Sequence, residues 1–249
     1  FREHARDVVL DGLKDEDTVV FVQKLRLGAD LLVEYAVPNL SLFNKVHTAF
    51  LDKYSNFIKN KHIFPVLVRY DFQRSYLHET AKNDSSILSG DRDVADISEA
   101  DRLVLSCLRA NPAASVAEIS RECNLDPRTV RKSLNECIDE RVIRGFSVDV
   151  DYEQAEISSA YLGIEFSHVT PQEMKRFVTF VREVDEIVGL TKVIGHTNVF
   201  VHIETFDDYT SVIEKLRAAF EFTEYSVFSA SNVVKNTYIP VSELEVSEE

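Results

Sequence analysis

The two ends of this chain repeat one order of elements around an all-helical centre. Near the C-terminus, SSAYLGIEFS reads as a strand, and TPQEMKRFVTFVREV as a helix capped by Thr170 with Pro171 at its first position. Strands follow at IVGLTKVIG and NVFVHIET, then a helix in DDYTSVIEKLRAAF and a strand in EYSVFSASNVV. The order βαββαβ predicts a ferredoxin-like unit, with helices on one face of an antiparallel sheet. The N-terminal stretch gives a helix in REHARDVVLDGL, strands in TVVFVQKLRL and DLLVEYAV, a helix in LSLFNKVHTAFLDKYSNFI and a strand in IFPVLVRYDF. That is αββαβ, the same unit without its first strand. Both copies place a glycine between their middle strands, Gly28 and Gly195. The pattern implies an internal duplication whose left copy is either truncated or completed by another segment. Met174 is the sole methionine, so a processed or trimmed chain is expected.

Five segments follow from this reading. Residues 1–78 form the N-terminal αββαβ unit. Residues 79–97 (ETAKNDSSILSGDRDVADI) are polar and turn-rich and read as a linker. Residues 98–150 are helical until a short extended end, 151–240 hold the C-terminal unit, and 241–249 form an acidic tail. No apolar run approaches the roughly 20 residues that a membrane span needs, and the N-terminus has no secretory pattern. The three cysteines (107, 123 and 137) include no CxxC pair, so no disulfide framework is expected, and a reducing cytoplasm is the expected compartment.

The centre is the most informative stretch. Ser98 can cap a helix from Glu99, with Leu103, Leu105, Cys107 and Leu108 at apolar positions and Pro112 ending it. Ser115 and Glu118 have capping-box spacing, which starts a second helix near Val116. After a short turn, Asp126 caps a third helix with Pro127 at its first position. Val130, Leu134, Cys137 and Ile138 fall on one face of it, and Arg128, Arg131, Lys132 and Asn135 on the other. Two helices joined by a tight turn, the second with a basic and hydrogen-bonding front, have the form of a recognition helix entering the major groove. Arginine pairs bidentately with guanine and asparagine with adenine, while Thr129 and Lys132 suit phosphate oxygens. RVIRGFSVDV then reads as the strand and turn of a wing, with Arg144 near its start. A plain solvated surface helix would show the same basic front.

The net charge of −14 has the wrong sign for holding phosphates. Residues 98–146 nevertheless carry eight basic and eight acidic side chains, and the remainder carries 20 and 34. The acidity lies outside the reading head, so affinity for DNA depends on the local basic face.

Residues 97–151 resemble the winged helix-turn-helix of the Lrp/AsnC (leucine-responsive, feast/famine) regulators. The likeness rests on D-R-x-x-L at Asp101 to Leu105, A-E-I in the second helix, the proline-started third helix and the closing V-I-R-G-F. The following βαββαβ unit resembles that family's RAM/ACT-like sensing domain, with VIGHTNVFVHIETFDDY across its glycine turn. The resemblance implies an α+β fold, a winged helix-turn-helix flanked by two such units, the first lacking its first strand. It implies a bacterial or archaeal transcription regulator that binds double-stranded DNA as a homodimer or higher oligomer. Ser115, Arg128, Thr129, Arg131, Lys132, Asn135 and Arg144 are its candidate DNA contacts. It also implies a small-molecule effector, amino acids being the family's class, at Gly195, His196, Thr197 and Asn198. Two departures stand out: an additional sensing-like unit precedes the helix-turn-helix, and Asn198 stands where an acidic residue is common.

Other readings stand beside this one. His196 and Thr197 suit a solvated turn as well as an effector contact. The cysteines suit small core positions as well as zinc or redox chemistry. No catalytic motif, metal-ligand spacing or cofactor loop is present, so no catalytic residue, metal or cofactor is expected. Siroheme decarboxylases share the same two-domain fold, which leaves an enzyme as one alternative. A scaffold or sensor that does not touch DNA is the other.

Overall fold

In the computed structural model, residues 3–77, 85–90, 95–240 and 244 are described. Of 3–5 and 85–86 only the backbone is described. The elements run α1 Glu3–Asp15, β1 Val19–Leu25, β2 Leu31–Tyr35, α2 Leu40–Tyr54, β3 Val66–Phe72, β4 Ser85–Ser89, α3 Glu99–Ala110, α4 Val116–Glu122, α5 Pro127–Asp139, β5 Ser158–Glu165, α6 Pro171–Arg182, β6 Ile187–Val193, β7 Val199–Thr205, α7 Thr210–Ala219 and β8 Glu224–Asn236.

The C-terminal unit has the expected topology. Its strands lie in the order β8-β5-β7-β6, all antiparallel. Val199, Val201 and Ile203 alternate along β7 onto the helix-bearing face, where they meet Leu162, Ile164, Phe177, Val181 and Leu216. Phe200, His202 and Glu204 point to the opposite face by the same alternation.

The N-terminal copy makes no sheet of its own. It opens and clasps the C-terminal sheet at both edges: β1 pairs with β8, carrying β2 outside it, and β3 pairs with β6. In repeat terms, the second strand of each copy pairs with the fourth strand of the other, which is a pseudo-twofold arrangement. β4 pairs antiparallel with β3, so the outermost strand there comes from residues read as linker. The missing first strand is therefore made good beside β3 by a segment from further along the chain. It also corrects the expected linker, since 85–89 are strand; residues 78–84 and 91–94 of that stretch lie outside the described residues. Of the acidic tail only Leu244 is described, and it is buried.

Packing follows the two copies. Val9, Leu10 and Leu13 of α1 bury against Val19, Val22 and Tyr54. Gly12 admits no side chain, because a Cβ there would lie 2.1 Å from the Tyr54 hydroxyl.

Candidate nucleic-acid interface and the buried polar layer

Three capped helices build the reading head. The Ser98 hydroxyl accepts from the amide of Asp101, and the Asp101 carboxylate accepts from the Ser98 amide and hydroxyl. Ser115 and Glu118 form the second capping box, and Asp126 caps α5 by accepting from the Arg128 amide at 2.8 Å. Asn124 takes the left-handed conformation (φ 52°) in the turn between α4 and α5, a position that asparagine tolerates well. Val104, Cys107, Ile119 and Val130 are buried together where the three helices meet.

The face assignment of α5 needs one correction. Val130 and Cys137 are buried as expected, but Ser133 shares their face, and Ile138 is 48% exposed. The Ser133 hydroxyl donates to the buried Asp101 carboxylate, fastening α5 to the start of α3. Burial raises the Asp101 pKa, yet hydrogen bonds from Ser133 and Ser98 outweigh it and hold the group below the usual carboxylate range. On α3, Val104 is buried, whereas Leu103 and Leu105 are half-buried. The expected wing strand is absent among the described residues: 142–143 form a bend and 144–150 make no ladder. Ser147 and Asp149 bond there to Tyr238 and Asn236, and the Arg109 guanidinium donates to the Ile239 carbonyl. These contacts replace a hairpin with a tether between head and sheet.

Arg128, Arg131, Lys132 and Asn135 are all exposed, and Thr129 is half-buried beside them. Arg128 and Arg131 form no ion pair among the described residues, while Lys132 lies 3.6 Å from Glu136. Ser115 is exposed, but its hydroxyl is used within the capping box. Arg144 is half-buried and turns its Nε back to the Arg141 carbonyl, so it does not join the front of α5.

The expected effector turn is largely committed to structure. Gly195 has φ +151°. The ring of His196 packs 5.5 Å from that of Phe64 in the N-terminal copy. Thr197 is buried, and the Asn198 amide oxygen accepts from the Phe166 amide at 2.8 Å.

Sequence reading missed the most heavily bonded side chain among the described residues. Where the helix-free faces of the two copies meet, Glu204 is fully buried and accepts from Arg74 through Nε (2.7 Å) and Nη2 (3.1 Å), from Tyr76 (2.7 Å) and from Tyr152 (2.9 Å). Beside it His202 stacks on Tyr161 at 4.4 Å, and the Tyr161 hydroxyl donates to the buried Gln23. Arg69 bridges to Glu34 on β2 at 2.5 Å, and lies 3.5 Å from Asp71. Burial alone raises the Glu204 pKa; His202, the Arg74 guanidinium and the Tyr76 hydroxyl together lower it below the carboxylate range. His202 is itself driven down to about 4 by burial, assisted by Arg69 and Arg74, so at neutral pH the Arg74 guanidinium is the charge that holds Glu204 ionised.

Ser159, His202 and Glu204 do not make a nucleophilic triad. The Ser159 hydroxyl lies 3.0 Å from His202 Nε2, and Glu204 approaches that same nitrogen at 3.8 Å, so the carboxylate cannot orient the ring through the other nitrogen. Among the described residues no group of histidine, cysteine, aspartate or glutamate side chains could hold a metal ion. A polar groove of about 380 Å³ lies at the seam beside Tyr152 and Ser159, walled by Arg26, Glu153, Glu156 and Tyr209.

The layer sets a pH dependence. Because the folded state holds His202 neutral, its contribution is complete above the unfolded pKa near 6.5 and is lost as pH falls toward about 4. The loss over that window is about 3 kcal/mol. Urea unfolding at pH 7.5, 5.5 and 4.5 should show it, and His202→Phe should flatten the profile in this interval.

Residues 97–144 match the family described as winged helix-turn-helix DNA-binding. The HTH-type transcriptional regulator LysM of Sulfurisphaera tokodaii is 27% identical over 124 residues, which are 48% of this chain and 89% of that protein. An AsnC family transcriptional regulator from Agrobacterium tumefaciens superposes with a TM-score of 0.53 at 19% identity, over 60% of this chain and all of that one. The siroheme decarboxylase NirDL covers 98% of this chain and 75% of its own, with a TM-score of 0.62 at 12% identity. That last likeness extends the shared fold across both copies. No described helix is long and apolar enough to cross a membrane. Residues 97–144 thus match a winged helix-turn-helix family, and the chain shares its fold with an AsnC family regulator over 60% of its length.

Proposed function

We propose that the chain is a sequence-specific DNA-binding transcription regulator of Lrp/AsnC type, reading the major groove with α5 and acting in the cytoplasm. One observation carries this reading: the exposed cationic front of α5, held at a fixed angle by the buried Asp101–Ser133 contact. The chain supplies one such helix among its described residues, and the sheet already pairs its two copies internally. Two chains therefore read two half-sites about 34–36 Å apart. Arg128, Arg131, Lys132 and Asn135 are the contacts; Ser115 acts through its cap. An effector at 195–198 has only His196 to meet it, because Thr197 and Asn198 are committed. The experiment is a mobility shift on a duplex selected by the protein from a random-sequence pool, with the mass of the complex measured by light scattering. Two chains per duplex are expected; one chain occupying the whole selected site contradicts the arrangement.

The salt dependence is a second check. With Lys132 on a phosphate and Arg128 and Arg131 adding at most one each, the slope of log K against log salt should be about −0.9 to −2.7 per head. A slope several times steeper would mean that the flanking units also hold DNA.

The enzyme reading is favoured by the whole-chain superposition on the siroheme decarboxylase. Two features weigh against it. Both Glu204 oxygens are saturated by the chain's own side chains, and in the seam groove the Arg26 guanidinium is already paired with Glu153 and stands beside Glu156, which leaves no free cation there for a polycarboxylate among the described residues. Titration with an iron-uroporphyrin should therefore give no Soret shift; a saturable shift would restore the enzyme.

A further inference from the structure

β2 stands at one end of the eight-strand order, and its outer edge has no partner strand among the described residues. The Leu25 amide donates to the Asp30 carbonyl and the Ala36 amide to the Thr18 carbonyl, so residues 30 and 36 turn their backbone groups toward β1. The register shift between Val19 and Phe21 puts its extra residue on β1, so the alternation along β2 is unbroken. Leu32 and Glu34 therefore bond inward too, while Leu31, Val33 and Tyr35 turn amide and carbonyl outward. All five residues of β2 are half-exposed. Natural edges are blunted by lysine, proline, a bulge or a charge, and of these LLVEY carries only Glu34, which Arg69 neutralises.

We propose that β2 is a pairing edge for a second copy of this chain, joined β2 to β2 antiparallel about a twofold axis at Val33, so that one sheet runs through both copies. The edge is self-complementary in that register. Val33 meets Val33 on the axis, and Leu31 meets Tyr35 on either side of it. Every outward amide and carbonyl is then matched, in about six hydrogen bonds. Leu32 stands opposite Glu34, so the two carboxylates do not face each other. The charges beside the edge favour the same direction. Val19 pairs with Tyr35 and Lys24 with Leu31, which places the run Asp15, Glu16 and Asp17 by the Tyr35 end and Lys24 by the Leu31 end. Lys24 forms no ion pair among the described residues. Antiparallel pairing turns it toward the acidic run of the other copy, whereas parallel pairing would set acid beside acid. Tyr35 also meets Phe43 of α2 edge-on at 5.4 Å, so apolar surface of α2 adjoins the axis. A twofold contact closes on itself, whereas β2 added to β4 of another copy would repeat without end. The pairing supplies the second reading head that two half-sites require; that use rests on the function proposed above.

The test measures the mass of the full chain by light scattering without DNA, at micromolar concentration, together with amide hydrogen exchange. Expected are twice the chain mass and, relative to the diluted protein, at least about tenfold slower exchange at Leu31, Val33 and Tyr35. Val33→Pro should halve the mass and leave the far-ultraviolet spectrum unchanged, because the amide it removes faces away from β1. Should that variant fold poorly, Val33→Cys keeps the question open to an answer: mild oxidation should capture it as a covalent dimer across the axis. A single chain at every concentration overturns the pairing, and so do species larger than two chains. A dimer that survives Val33→Pro, with the amides of 31, 33 and 35 exchanging freely, overturns it as well, since its interface lies elsewhere. A dimer lost in Val33→Pro that selects no duplex upholds the pairing and sinks the DNA-binding function alone.

Discussion

Replacing Arg128 and Arg131 together with alanine should lower affinity for the selected duplex by at least about 30-fold, since each bidentate base contact is worth about 1–3 kcal/mol. Stability should not change, because both side chains are exposed and neither forms an ion pair among the described residues. Asn135→Ala should relax preference at a single base position, whereas Lys132→Ala should weaken all sequences alike and flatten the salt slope by about one unit. The separation matters here because the rest of the chain is acidic. With 34 acidic side chains outside the head, little general attraction remains to mask the loss of a base contact. If the double variant binds as tightly as the unaltered chain, α5 is not the reader.

The largest expected effect on stability is at Arg74. Arg74→Met removes the guanidinium that faces a fully buried carboxylate, and an uncompensated buried charge costs about 3–5 kcal/mol. Denaturant unfolding should show the full loss at pH 7. Removing the whole group by adding Glu204→Leu, Tyr76→Phe and Tyr152→Phe should recover most of it, because then no buried polar atom lacks a partner. Equal instability in the single and the fourfold variant would mean that Arg74 matters for packing, not for charge. Since Tyr152 follows the reading head directly and Arg74 also reaches the Val148 carbonyl, the same group fixes where the head leaves the sheet.

The reading head was legible because its signals are local. Ser98, Ser115, Asp126 and Pro127 each mark a helix start by chemistry acting within three residues, and all four stand where expected. The C-terminal unit was legible through the alternation of Val199, Val201 and Ile203. What the residues could not reveal alone depended on contacts distant in sequence. His202 and Glu204 have the period-two pattern of a solvated sheet face; only the clasping of that face by the N-terminal copy buries them. Arg69, Asp71 and Arg74 on one strand and its exit, against Glu34 and Glu204, formed the available signal, since their charges oppose one another. The wing strand was misread for a similar reason: RVIRGFSVDV has strand-forming residues, but Ser147 and Asp149 bond through their side chains to Tyr238 and Asn236, and the Ile143 amide donates to the Cys137 carbonyl. Ser133 was missed because its hydroxyl needs Asp101, 32 positions earlier.

Isotope-labelled protein titrated with the pool-selected duplex tests the central claim most directly. The account predicts amide shifts concentrated at 115–116 and 126–135, with the strands of the sheet and α1, α2, α6 and α7 unmoved. Shifts centred on the seam groove or on 195–198, with α5 silent, would contradict it.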